Sequence, residues 1–219
     1  EKQKQFITDA GHELKTPITV IATSLKVLEM ESGENKWIDK SLAQTEKLRD
    51  LVNSLVSLSR LDEEQSPLKM AEFPISEAIS ETAESFRDYA EANGHELQLE
   101  IAPALTYTGD EYAIRQLVSI LLDNAVKYAD EHACIKLSLE KGKKGPVIRT
   151  MNPCTGLTRQ QVERLFDRFY RVDQSRTTGG FGIGLSMARS IAEGHKGSIK
   201  ATCCEENKIE FTVLLGKCV

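Results

Sequence analysis

His12 lies in the run Phe6-Ile7-Thr8-Asp9-Ala10-Gly11-His12-Glu13-Leu14-Lys15-Thr16-Pro17, one residue off an apolar seam of Ile7, Gly11, Leu14, Ile18, Ile21, Leu25 and Leu28. The seam steps by four and three residues, the period of one helix packed along another. A histidine off such a seam reaches solvent at the flank of the helix. Glu13 supplies a neighbouring carboxylate, and Pro17 removes a backbone hydrogen bond and crowds the carbonyl of Glu13, which predicts a bend beside the imidazole. Such a histidine is a reactive group to be reached from outside. Far along the chain, Asn124 and Lys127 stand three residues apart on a helical pattern and so share a face. An amide oxygen there can ligate a hard cation such as magnesium, and an ammonium beside it neutralises phosphate. Taken alone, the pair more readily describes an ordinary polar helix face. Gly179-Gly180-Phe181-Gly182-Ile183-Gly184-Leu185-Ser186 runs directly into a helical pattern, with four glycines in six residues. Backbone N–H groups exposed by glycine, with a helix N-terminus behind them, make a cradle for phosphate. No Lys-Ser/Thr follows and no strand precedes, which excludes a P-loop and a Rossmann opening.

Elements of two kinds must position these groups. The first helix stops at Ser32-Gly33, and Asn35 can cap a second whose stripe is Ile38, Leu42, Leu48, Leu51, Val52, Leu55 and Leu58. Two helices and a short turn make an antiparallel hairpin. One hairpin cannot bury both stripes in full. A second copy, giving a four-helix bundle, solves this better than packing on the rest of the same chain. Residues 62–72 read as a linker with a short strand. Pro74 to Asn93 reads as one helix closed by Gly94, and 95–101 as a half-buried strand. Asp110 can cap a helix reaching Ala129. Strands follow at 134–139 and 147–151, then a helix at 183–193 and strands at 197–201 and 209–215. Strands and helices mix without strict alternation, so the second part is an α+β sandwich.

Composition limits the rest. The 219 residues suit one large domain or two small ones. A net charge of −5 gives no footprint for nucleic acid. Five cysteines, an odd number without CxxC spacing, point away from disulfides and zinc and toward a reducing compartment. No apolar stretch is long enough to span a bilayer, and a helical pattern already running at Glu1 suggests a fragment with its upstream part missing. Phe166, Phe169 and Tyr170 can anchor a polar stretch that serves as a lid, with Arg171 or Arg176 reaching phosphate. His132 and His195 read as structural or exposed, and His95 as solvated.

In this order the motifs resemble the catalytic core of a two-component sensor histidine kinase, over essentially the whole chain. Phe6–Pro17 is similar to the H box, Asp123–Tyr128 to the N box, Leu165–Arg171 to the F box and Gly180–Leu185 to the G2 box. The resemblance implies an α+β architecture. Residues 1–65 would form the dimerising, phosphoaccepting hairpin of a four-helix-bundle homodimer. Residues 66–219 would form an ATP-binding α/β sandwich of the Bergerat type, shared with gyrases and Hsp90 chaperones. It implies an autokinase in which His12 takes the γ-phosphoryl of Mg-ATP and passes it to an aspartate on a response regulator receiver domain. Glu13 would accept the histidine proton, and Glu13 and Thr16 would support dephosphorylation of the regulator. Asn124 would hold magnesium. Lys127, Tyr128, Asn152, Gly156, Arg171, Gly180, Gly182, Gly184 and Leu185 would bind nucleotide. The setting implied is the cytoplasmic part of a membrane sensor, attached only through the missing upstream segment. Two departures stand out. Asn152-Pro153-Cys154-Thr155-Gly156 replaces the family's Asp-x-Gly-x-Gly, so a neutral amide meets the adenine amine, and Asp at 152 is expected to bind ADP more tightly. Ile120 stands where a second Asn is often found. These favour, as the alternative, a nucleotide-weak scaffold or phosphatase-biased module.

Overall fold

The computed structural model describes residues 2–33, 35–61, 68–172, 182–204 and 207–217, with the side chains of 2–13, 32, 47, 50, 51, 53–61 and 204 outside that description. The chain divides into two compact units, Glu1–Ser66 and Pro67–Val219.

The first unit is a hairpin of α1 (Lys2–Ser32) and α2 (Lys36–Leu61). Gly33 ends α1 with φ +73°, a conformation that favours glycine. Asn35 caps α2 as its sequence position predicts, its Oδ1 accepting from Trp37 N at 2.9 Å. Helix α1 continues through Pro17. The two stripes divide. Ile18 and Val52 pack together at 3% exposure, whereas Leu14, Ile21, Leu28 and Leu48 are each about half exposed within one chain.

The second unit carries a five-stranded sheet in the order β2-β4-β5-β7-β6, from β2 (Glu96–Ile101), β4 (Cys134–Lys141), β5 (Pro146–Pro153), β6 (Ser198–Cys204) and β7 (Lys208–Leu214). Among the described residues only β2 and β4 pair in parallel. A separate ribbon joins β1 (Ala71–Phe73) to β3 (Tyr107–Gly109). Helices α3 (Ile75–Glu84), α5 (Glu111–Tyr128) and α7 (Gly184–Gly194) bury one apolar stripe each. The core is built from Ile114, Leu117, Leu121 and Leu122 of α5 against Ile135, Leu137, Ile148 and Phe211 of the sheet.

Two readings of the sequence are corrected, and that of His132 and His195 as structural or exposed holds. Residues 74–93 are two helices, α3 and α4 (Arg87–Ala92), because Ser85 Oγ bonds back to Thr82 O at 2.7 Å and ends the first. His95 is buried, not solvated, its Nδ1 accepting from Ala133 N at 3.3 Å. His195 is wholly buried, whereas His132 is exposed. The short helix α6 (Arg159–Arg164) was absent from the pattern reading, although Thr158 and Gln161 form a reciprocal capping box at its start.

Candidate nucleotide site

Asn152 ends the inward face of β5. Residues alternate along this strand, with Ile148, Thr150 and Asn152 buried and their neighbours half-buried. The Asn152 amide is 2% exposed. Its Nδ2 donates to Pro153 O at 3.0 Å, which fixes the amide so that Oδ1 is the end turned to the interior. That oxygen is buried without a hydrogen-bond partner, as is Thr150 Oγ1 two residues earlier. A buried acceptor without a donor costs about 1–3 kcal/mol. A ligand that brings a donor would relieve that cost.

The loop after β5 is tied to the end of α5. Asp130 Oδ1 accepts from Thr155 N at 3.1 Å, and Oδ2 accepts from Thr155 Oγ1 at 2.7 Å. Gly156 follows with φ +84°. Burial pushes the Cys154 thiol up from its ordinary pKa, with Asp130 and Cys203 adding to the effect, so it stays a neutral thiol here.

Helix α5 exists because Asp110 caps it, Oδ1 accepting from Ala113 N at 3.0 Å. Its last turn places Asn124 and Lys127 at half-buried positions and Tyr128 at an exposed one. The Lys127 ammonium, however, is engaged by Asp123 Oδ2 at 2.6 Å, a partner the spacing argument did not consider. Two of its three N–H donors remain for an anion.

The glycine-rich segment is described only from Gly182 onward; Gly180 lies outside the described residues. Gly182 has φ +69°, and a Cβ there would lie 2.7 Å from Tyr170 O and 2.8 Å from Phe169 C. Its carbonyl accepts from Phe169 N at 2.8 Å. Only glycine lets these two backbones meet. Gly184 opens α7, and a Cβ on it would come within 3.3 Å of Ile120 Cγ2. Ile120 therefore packs where the last glycine draws α7 against α5. No side chain caps α7, so the first-turn N–H groups at Gly184 and Leu185 suit an acceptor brought from elsewhere.

Phe166 anchors the preceding segment, edge-on to Phe211 at 6.2 Å and beneath the Arg189 guanidinium at 4.7 Å. Phe169 instead stands 60% exposed with φ +64°. Arg171 is half-buried at the end of the described segment, and Arg176 lies outside it.

In the hairpin, α1 carries His12 and Glu13, whose side chains fall outside the described residues, and Thr16, which is exposed. Among the described residues no cluster of three or more His, Cys, Asp or Glu could hold a metal. Asn124 would hold a magnesium ion here, an ion that takes most of its other ligands from phosphate and water. Among the described residues no helix is long and apolar enough to cross a membrane. The described thiols Cys134, Cys154 and Cys203 are free.

Residues 2–64 match the His Kinase A (phospho-acceptor) domain, and residues 109–217 match the histidine kinase-, DNA gyrase B- and HSP90-like ATPase family. The sensor protein DltS of Streptococcus agalactiae is 33% identical over 201 residues, 91% of this chain and 51% of that protein. The sensor protein CiaH of Streptococcus pneumoniae is 32% identical over 222 residues, 97% of this chain and 48% of that protein. The chain thus spans about half the length of the curated relatives it matches. Among solved structures, full-length ShkA in complex with AMPPNP superposes with a TM-score of 0.79 at 21% identity, covering 98% of this chain and 46% of that one. The histidine kinase AdeS of Acinetobacter baumannii gives 0.68 at 23% identity, covering 94% and 97%. At these identities the likeness establishes the fold.

Proposed function

The chain belongs to the sensor histidine kinases of two-component systems, and on that premise we propose that it phosphorylates its own His12 from Mg-ATP and passes the phosphoryl group to an aspartate of a response regulator receiver domain. Residues 1–65 are the dimerising phosphoacceptor unit and 66–219 the ATP-binding unit. The observation that supports the reading is Asn152, whose Oδ1 is buried without a hydrogen-bond partner and so has an acceptor to offer a ligand donor.

Mg-ATP supplies the phosphoryl donor. Asn152 takes the base amine. The N–H groups at Gly182, Gly184 and Leu185 with the α7 dipole, together with Lys127, hold phosphate charge, and Arg171 and Tyr128 bind the same nucleotide. Asn124 holds the magnesium ion. In the transfer the bond from the γ-phosphorus to its bridging oxygen breaks and a phosphorus–nitrogen bond forms on His12. Glu13 accepts the imidazole proton, so the ring stays nucleophilic. Thr16, which is exposed, and Glu13 serve to orient and activate water for dephosphorylating the regulator.

The hairpin acts as a homodimer: a second copy covers the half-exposed Leu14, Ile21, Leu28 and Leu48. The unit works as the cytoplasmic part of a longer membrane-anchored sensor. Incubation with γ-labelled ATP, followed by acid treatment, tests the reaction. Wild type takes up acid-labile, alkali-stable label, and His12→Gln takes up none while binding ADP unchanged. Label that persists on the His12→Gln chain overturns the phosphoacceptor role. ADP binding without any label favours a docking scaffold.

A further inference from the structure

Thr150 is 0% exposed on the inward face of β5, between Leu137 of β4 and Phe211 of β7 in register. Its hydroxyl has no hydrogen-bond partner there. Neither neighbour in register can supply one, since both side chains are hydrocarbon. An apolar residue of the same shape, such as valine, would satisfy this position better if packing were its only role. The hydroxyl shares its predicament with Asn152 Oδ1, two residues along on the same inward face of β5. Two buried polar atoms without partners on one inward face are what one ligand edge carrying two polar groups would answer.

We propose that Thr150 is a second base-reading residue, which with Asn152 recognises a 6-aminopurine edge. The inference rests on the ATP reading above and deepens it. Asn152 is held by Pro153 O with its acceptor inward, so it takes the exocyclic amine. The Thr150 hydroxyl can donate, and it donates to the ring nitrogen beside that amine. Two uncharged groups thereby supply the recognition for which a carboxylate is absent at position 152. The arrangement also selects. A 6-oxo purine would set its carbonyl against Asn152 Oδ1, leaving two buried acceptors face to face.

The test titrates ADP, and ADP analogues with N1 or N7 replaced by carbon, into wild type, Thr150→Val and Thr150→Ser, with thermal melting of each nucleotide-free chain. Thr150→Val should lose about three- to tenfold in ADP affinity, the effect of one neutral hydrogen bond. Thr150→Ser should keep it. The nucleotide-free Thr150→Val chain should melt no lower than wild type, because a buried hydroxyl without a partner is gone. One carbon-substituted analogue should bind wild type and Thr150→Val equally. Equal ADP affinity for wild type and Thr150→Val overturns the inference, making the hydroxyl an unpaired core group, while leaving ATP binding intact. A serine variant as weak as the valine variant also overturns it, since the methyl and not the hydroxyl would then matter. A wild-type chain that takes up no ADP overturns the ATP reading and this inference with it.

Discussion

Lys127 Nζ lies 2.6 Å from Asp123 Oδ2, one helical turn back on α5. The acid precedes the base by four residues, the favourable orientation for such a pair on a helix. Both side chains are partly exposed, so the pair adds little to stability. Its effect is on the proposed nucleotide site, where a carboxylate stands beside the cation assigned there to phosphate. Asp123→Asn removes one negative charge close to a polyanion. ADP and ATP should therefore bind about two- to fivefold tighter at low salt, with the gain shrinking as salt is added. Calorimetry at two ionic strengths reads this. Weaker binding would mean that Asp123 holds Lys127 in its working rotamer and that positioning outweighs charge.

The sequence alone leads to the expectation that Asn152→Asp tightens ADP binding, and the structure reverses that expectation. Asn152 Nδ2 donates to Pro153 O at 3.0 Å, and an ionised carboxylate would place an acceptor there instead. Burial also raises a carboxyl pKa. The protonated acid can donate to Pro153 O as the amide does. The variant should bind ADP no better than wild type at pH 8 and should improve as the pH falls, while wild-type binding stays flat. ADP titrations across that pH range decide it. A tighter variant at pH 8 would show that the amine interaction outweighs the clash with Pro153.

The exposed stripe of the hairpin predicts the oligomer. Ile18 and Val52 meet within one chain, and Leu14, Ile21, Leu28 and Leu48 do not find cover there. Sedimentation at micromolar concentration should show a dimer. Ile21→Lys combined with Leu48→Lys should give a monomer, because a four-helix core would bury both charges. A monomeric wild type would contradict the bundle.

His195, at the end of α7, ties that helix to the start of α5. Its Nδ1–H donates to Ile191 O at 2.8 Å, and its Nε2 accepts from Asp110 N at 3.0 Å. Burial holds its pKa below the ordinary value; the Ile191 bond and the Asp110 charge oppose the shift without cancelling it. The unfolded chain then binds a proton more readily than the folded one. The contribution is fully present above the ordinary histidine value of about 6.5 and is lost as the pH falls below it. Melting temperature should drop from pH 7.5 to 5.5. His195→Asn should melt lower overall but with a shallower slope. An unchanged slope would assign the pH dependence to other groups.

Local chemistry made much of this protein legible from sequence. Asn35 and Asp110 cap helices because a short acceptor ahead of an apolar run has one good use. The strands and the helix after the glycines follow from periodicity, and the motif order names the family. What remained hidden depends on neighbours distant in sequence. His95 and His195 are buried because Ala133 N and Asp110 N come to them across the fold, and no local pattern announces a partner 38 or 85 residues away. Thr150 was passed over as an ordinary strand residue. One polar residue at an inward position was its only signal, and only packing shows that β4 and β7 leave its hydroxyl unanswered. The types of the binding groups were fixed by sequence, since glycine conformations and amide chemistry are local. The orientation of the Asn152 amide, the capture of Lys127 by Asp123 and the meeting of Gly182 with Phe169 were decided by tertiary structure, where distances rather than residue types determine which donor finds which acceptor.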